Sequence, residues 1–246
     1  MKSKSNPFFP WRCDREYGYD AGMKRSRSDT VPQMDDMGSL MEWLMDKAVN
    51  GLAPLSSAEN LAQEYLIDTS YADDGARIDA LIHWETTKNF TAGFVTGVGG
   101  LLTLPVSLPA DFVASWLIQA RMSAAIARIC GFDLKSDRVQ TFILACLVGD
   151  AVKDTAKAAG LDVSRGVTKT LLKKATAEVT EELQEQIGKK LVALAAKKGV
   201  SSAARGIPLL GGLVGGVFDA TACHVVGRTA KSLFWVRRKK REGEVG

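Results

Sequence analysis

From Met37 onward, apolar positions recur at helical intervals along most of the chain. Met37, Leu40, Met41, Leu44, Met45, Ala48 and Val49 fall on one face, and Gly51 and Pro54 stop the helix they predict. Ser39, with Glu42 three residues later, reads as a capping box for it, and Ser56 with Glu59 as a second box opening a shorter helix through Leu61, Ala62, Tyr65 and Leu66. After Asp73-Asp74-Gly75 the period resumes at Ile78, Leu81 and Ile82. Another helix runs through Phe112, Val113, Trp116 and Leu117 to a glycine stop at Gly131. The next starts near Ser136, carries Val139, Phe142, Ile143, Cys146, Leu147 and Ala151 on one stripe, and stops at Gly160. Between 164 and 198, Val167, Leu171, Ala175, Val179, Leu183, Ile187 and Leu191 recur every fourth residue among Lys and Glu. A four-residue step drifts by about 40° per repeat, so this region must wrap the body or break, with Gly188 the expected place. No stretch alternates with the strand period. The fold class expected is all-α: a helical bundle over 36–236, a disordered tail over 1–35 where periodicity is absent, and a basic tail over 237–246.

Two stretches depart from ordinary amphipathic patterning. From Asn89 to Ala110 the chain has no charge, a length that approaches a bilayer span. Gly99-Gly100, Pro105 and Pro109 interrupt it, and lipid tolerates broken backbone only where protein or water satisfies the freed groups. A helical hairpin or shallow re-entrant element is therefore expected in place of one straight span. The second stretch is "IPLLGGLVGGVFDATACHVVGR", 207 to 228, with Pro208 placed for a first helical turn. Gly211 and Gly215, and Gly212 and Gly216, are spaced for close helix packing, as are Gly93 and Gly97 in the first stretch. Gly212, Gly216, Ala220, Cys223, Gly227 and Ala230 line one face, the pattern of a glycine zipper.

Charge adds a local feature. The net charge of +4 is modest for 246 residues, but Arg237, Arg238, Lys239, Lys240 and Arg241 follow directly on Leu233, Phe234, Trp235 and Val236. Aromatics followed by a basic cluster suit a membrane-surface segment, with each basic residue adding about 1 kcal/mol near anionic lipid. Trp235 and the five basic residues are the membrane-surface candidates, and an anionic membrane is the expected partner. Further basic faces and stacking aromatics are missing, so nucleic acid is not expected. The N-terminal residues lack the apolar core of a signal peptide, and Cys13, Cys130, Cys146 and Cys223 lie too far apart for a disulfide framework or zinc site. These features predict a cytoplasmic protein, peripheral to or partly inserted at the inner face of a membrane.

Familiar catalytic chemistry is missing. The sequence contains no phosphate-binding Gly-x-x-x-x-Gly-Lys loop, no Gly-x-Ser-x-Gly elbow and no His-Glu-x-x-His helix, and it has only two histidines, His83 and His224. No cofactor or metal is expected. Asp111, Asp150 and Arg228 are the catalytic candidates that remain. Asp111 follows the uncharged stretch and shares a face with Ser115 and Gln119. Asp150 lies one turn beyond Cys146, on a stripe expected to be buried, where a carboxylate needs a partner. Asp219 and His224, five residues apart, project about 140° from each other and form no dyad, which leaves His224 as a helix–helix contact residue.

Three passages, "LPVSLPADFVASWLIQARMSAAIARICGFD" (104–133), "LACLVGDAVKDTAKAAG" (144–160) and "GIPLLGGLVGGVFDATACHVVGRTAKSLF" (206–234), together resemble the EcsC family, over roughly 40 to 236. The resemblance implies that Pro109-Ala110-Asp111, Gly149-Asp150 with Lys153, and Gly227-Arg228 with Ala230 correspond to family elements. Asp219 departs from the Asn often found in the family's glycine-rich helix. The family takes its name from a protein encoded beside an ABC transporter. It implies a setting in membrane transport or envelope processes and a membrane-transport partner protein, without specifying a reaction. The reading is a non-catalytic, membrane-associated helical accessory. The alternatives are an enzyme in which Asp111, Asp150 and Arg228 form a polar pocket for a lipid or peptide, and a soluble bundle that binds another protein through the long 164–198 helix.

Overall fold

The computed structural model describes Pro32 and residues 36–52, 55–99, 109–201 and 208–235. The remainder of the 1–35 tail, the Gly100–Pro105 interruption and the basic residues Arg237–Arg241 lie outside the described residues. Among the described residues there are nine α-helices and no strand: α1 (Met37–Asn50), α2 (Ala58–Leu66), α3 (Asp74–Gly99), α4 (Pro109–Ile129), α5 (Asp137–Cys146), α6 (Val152–Ala158), α7 (Lys169–Lys174), α8 (Ala177–Ser201) and α9 (Pro208–Phe234). All-α architecture follows from the 3.6-residue patterning, as expected.

The ends of the helices differ from the sequence reading in instructive ways. Helix α1 is capped by Asp36, not Ser39: the Asp36 carboxylate accepts from the Ser39 N–H at 3.0 Å. Hydrogen bonding to Ser39 holds that carboxyl below the usual range. Helix α2 is capped by Ser57, which accepts from the Asn60 N–H at 3.1 Å, and Ser56 is free to serve elsewhere. Both boundaries moved because an equally good capping oxygen stood a few residues earlier or later. Gly131 and Gly160, at φ +77 and +75, close α4 and α6 where glycine stops were expected.

The helix expected from Ser136 to Gly160 is broken. Gly149 adopts φ +56, and a Cβ there would lie 2.9 Å from Val225 Cγ1, so only glycine both turns the chain and lets α9 pass this close. The backbone leaves α5 after Cys146 and makes a 3₁₀ turn at Gly149–Ala151 before α6. Asp150 is thereby rotated off the buried stripe and is exposed, contrary to the expectation of a buried carboxylate.

The 164–198 region breaks between α7 and α8, at Ala175 and Thr176, and not at Gly188. Thr168 caps α7 through the Leu171 N–H at 3.0 Å, and Ala175 leaves helical backbone at ψ 73. The reset absorbs the drift of the four-residue stripe: Val167, Leu171, Ala175, Leu183, Ile187 and Leu191 are all buried. Gly188 sits inside α8 beneath Met37, whose Cγ would be 3.1 Å from an added Cβ.

The most extensive helix pairing joins α3 to α9, elements more than a hundred residues apart in sequence. Lys231 near the end of α9 donates to Gly75 O at 3.2 Å and to Asp79 Oδ1 at 2.6 Å near the start of α3, so the two run antiparallel. Where they cross, Gly227 faces Ile82; a Cβ at 227 would lie 2.8 and 2.9 Å from the Ile82 Cγ atoms and 3.2 Å from Met122 Cε of α4. Helix α4 packs on α3, α9, α1 and α2, and α8 packs on α5, α6 and α1. The far end of α9 is pinned by Val167, whose N–H donates to Leu233 O at 2.7 Å, and by the edge-on contact of Phe234 with Phe132. Among the described residues, no helix is long and apolar enough to cross a membrane.

Candidate functional site

The seam between α3, α4 and α9 encloses the deepest charged group described. Glu85 of α3 is fully buried, and Arg121 of α4 is 4% exposed. Arg121 Nη2 lies 3.0 Å from Glu85 Oε2, and Lys88 Nζ lies 2.9 Å from Oε1, one turn along α3. Arg121 Nη1 donates to the carbonyl and hydroxyl oxygens of Ser56, at 3.3 and 3.2 Å, so the residue that does not cap α2 instead ties α2 to α4. A buried ion pair repays its desolvation only when the remaining donors are satisfied. Here satisfaction is partial: Arg121 Nε, Asn89 Nδ2 and Thr86 Oγ1 are buried without a nitrogen or oxygen partner. The Cys223 thiol of α9 lies beside Asn89 and Thr86, and burial pushes its pKa up to about 11.

The periodicity carried a signal for this seam. Ile78, Ile82, Glu85 and Asn89 step by four, three and four, so the carboxylate continues the buried face of α3. The polar run "HWETTKN" resembles a solvated turn of helix when read by composition, and the partner Arg121 lies in a different apolar helix.

Asp150 follows Gly149, which touches Val225, and Arg228 lies one turn further along α9. Both side chains are exposed, and neither has a hydrogen bond or ion pair among the described residues. Asp111 is in the first turn of α4, eleven residues before Met122, which puts it about 16 Å down the helix axis from the level of Gly227 and Arg228. Its side chain lies outside the described residues. His224 is exposed instead of lying between helices, because α9 turns Cys223, Gly227 and Ala230 toward α3 and leaves His224 on the other side. Groups of His, Cys, Asp and Glu suited to a metal are absent among the described residues. An open groove of about 700 Å³ at the far end of α4 is bounded by Arg128, Glu59, Asn50 and Lys135. Arg128 Nε bridges both Glu59 oxygens there at 2.7 Å, leaving a shallow polar surface.

The glycine-rich parts of α3 and α9 lie at one end of their antiparallel pair, and α4 begins toward that same end. Gly93 and Gly97 lie within α3, and Gly211, Gly212, Gly215 and Gly216 within α9; their surroundings are outside the described residues. Five large apolar side chains are exposed among the described residues, and four of them lie on the helices flanking the 202–207 connection: Val192 (49%) and Leu194 (40%) on α8, and Val217 (55%) and Phe218 (48%) on α9. Leu191 is the last residue described as buried on α8. Trp235 stands at the other end of α9, half-buried, with its ring 3.1 Å from where a Cβ on Gly75 would sit.

No curated protein and no solved structure matches the chain. A match to the EcsC protein family covers residues 30–238 and takes in all nine helices, including the α3–α4–α9 seam and the glycine-rich end. The chain belongs to the EcsC protein family.

Proposed function

We propose that this protein is a non-catalytic, membrane-associated accessory in membrane transport or envelope processes. In this reading the glycine-rich end of the bundle docks on, or partly enters, the cytoplasmic leaflet, and the body engages a membrane-transport partner. The observation that supports it is that four of the five large apolar side chains exposed among the described residues, Val192, Leu194, Val217 and Phe218, lie on the two helices that flank the 202–207 connection, Val217 and Phe218 side by side on α9. Apolar side chains left in water in one place mark an interaction surface, whereas scattered ones mean little.

Helix arithmetic supports the same surface. Gly97 is fifteen residues past Ile82 on α3 and Gly212 fifteen before Gly227 on α9, about 22 Å along either axis. The antiparallel register therefore sets Gly97 level with Gly212, and by the same count Gly93 level with Gly216. Small residues at matched levels let two backbones close into a narrow, uncharged wedge, a glycine zipper. A wedge of this kind suits partial entry into a leaflet.

Flotation of the purified chain on vesicles, followed by a carbonate wash, tests the reading. Wild type is expected to remain with the lipid through the wash, and Val217→Ser with Phe218→Ser to lower retention by at least about tenfold, since each buried apolar side chain contributes on the order of 2 kcal/mol. Complete recovery of the wild type in the soluble fraction would sink it.

A further inference from the structure

The groove of about 700 Å³ at the far end of α4 falls within the size range of ligand sites. Three parts of the fold meet there. The exit of α1 brings Val49 and Asn50, the first turn of α2 brings Glu59 and Asn60, and the end of α4 brings Arg128 and the turn at 131–135. That turn is fixed by backbone bonds: the Gly131 N–H donates to Arg128 O at 2.9 Å and the Phe132 N–H to Ala127 O at 3.0 Å, a Schellman closure. Gly131 is open on its outer side, with nothing within 4 Å of where a Cβ would stand.

The charged groups around the groove differ in how far the fold already uses them. Both Glu59 oxygens accept from Arg128 Nε at 2.7 Å, and Asp133 Oδ1 accepts from the Lys135 N–H at 2.9 Å. Each acid therefore has a donor. The cations are not matched in the same way. Arg128 meets Glu59 through Nε, and its Nη1 and Nη2 have no hydrogen-bond partner among the described residues. Neither does Lys135 Nζ or the Asn60 side-chain amide, and both residues are exposed. The unmet capacity of the groove thus lies on the donor side, and the paired Nη groups of a guanidinium form a planar fork that matches a carboxylate. Val49, Phe132 and Leu134 line the groove as well, so an apolar contact is offered beside these donors.

Deepening the reading above, in which the body engages a partner, and resting on it for that engagement, we infer that this groove is where the partner docks. The occupant is an extended segment of the partner protein carrying an Asp or Glu side chain among apolar residues. Its carboxylate meets Arg128, Lys135 and Asn60, and its apolar neighbours cover Val49 and Leu134. A bare oxyanion would leave that apolar lining unused. Arg128 is nineteen residues past Pro109, about 28 Å along α4 from its first residue. The groove is therefore well separated from the first turn of α4, which follows the uncharged stretch, and a partner and a bilayer can be held at once.

Two pools of end-blocked pentapeptides are titrated into the full chain at low salt, one with a central Glu flanked by mixed apolar residues and the other identical except for Gln. Backbone amide shifts are followed by NMR, and inorganic phosphate serves as a third titrant. The Glu pool is expected to move the amides of Asn60, Gly131 and Lys135 and to bind at least about tenfold more tightly than the Gln pool. Arg128→Gln and, separately, Lys135→Gln should each weaken the Glu pool by about tenfold, with circular dichroism unchanged. The Lys135 side chain has no partner in the fold, so its variant reads binding alone. Equal binding of the two pools, or no movement of those amides at millimolar peptide, overturns the inference. So does phosphate that binds at the same amides more tightly than the Glu pool, which would make the groove a site for a free oxyanion. Flotation of the same chain on vesicles keeps the two readings apart: a wild type that binds the Glu pool but does not float sinks the membrane reading and upholds the groove.

Discussion

Glu85 cannot lose its charge quietly. Glu85→Ala leaves Arg121 buried with its main counter-charge removed, and breaking a buried pair from one side costs about 3–5 kcal/mol. Glu85→Leu combined with Arg121→Met removes both charges and is expected to recover most of that loss, read as the midpoint of urea unfolding; a double variant no better than the single would show that the pair is not the source of the effect. The buried thiols offer a second check. Burial pushes Cys223 up to about 11 and Cys146 higher still, so both remain protonated well above neutral pH. Because the thiolate is the nucleophile, native Cys146 and Cys223 should resist iodoacetamide at mildly alkaline pH and react once urea unfolds the chain. Equal native and unfolded labelling rates, resolved by peptide mass, would contradict the packing described. At this scale the sequence revealed which residues are apolar and periodic but not which charge is internal. Asp150 looked buried and is exposed because Gly149 turns the chain, while Glu85 sat in a polar run and is enclosed because it continues the Ile78–Ile82 face.

The α3–α9 pairing depends on a missing side chain. Gly227→Ala places a methyl group within 3 Å of Ile82, and overpacking of this kind costs about 1–3 kcal/mol. Ile82→Ala in the same chain opens the space, so the double variant should be more stable than the sum of the two single changes predicts, with a coupling of roughly 1 kcal/mol or more measured by a thermal or urea cycle. Strict additivity would mean that the two helices do not meet there. Helix faces were legible because period and burial coincide: the stripe from Val167 to Leu191 is buried nearly residue for residue. Partners were not. Small residues every fourth position announce a close-packing face on α9, yet nothing local says that the opposing face belongs to a helix ending at Gly99. Cap positions slipped by one to three residues for an equally local reason: Asp36 and Ser57 competed with Ser39 and Ser56 for the same amide groups.

At the scale of the molecule, the core runs from Leu40 to Phe234 among the described residues, and the family match begins at residue 30. Deleting Met1–Thr30 should therefore shift the thermal midpoint by no more than about 3 °C, the equivalent of roughly 1 kcal/mol for a domain of this size; a larger loss, followed by circular dichroism, would place part of the core upstream of Met37. The all-α class could be read directly from the sequence, but the pairing of α3 with α9 could not, because it depends on antiparallel register between distant helices. That register also has a consequence for biosynthesis. The last residue of α9 leaves the ribosome 135 residues after the last residue of α3, on the order of ten seconds later at ordinary elongation rates. Throughout that interval the uncharged half of α3 has no α9 against which to close. A nascent chain in this condition is a natural client for a chaperone, or for the nearest bilayer, before the protein is complete.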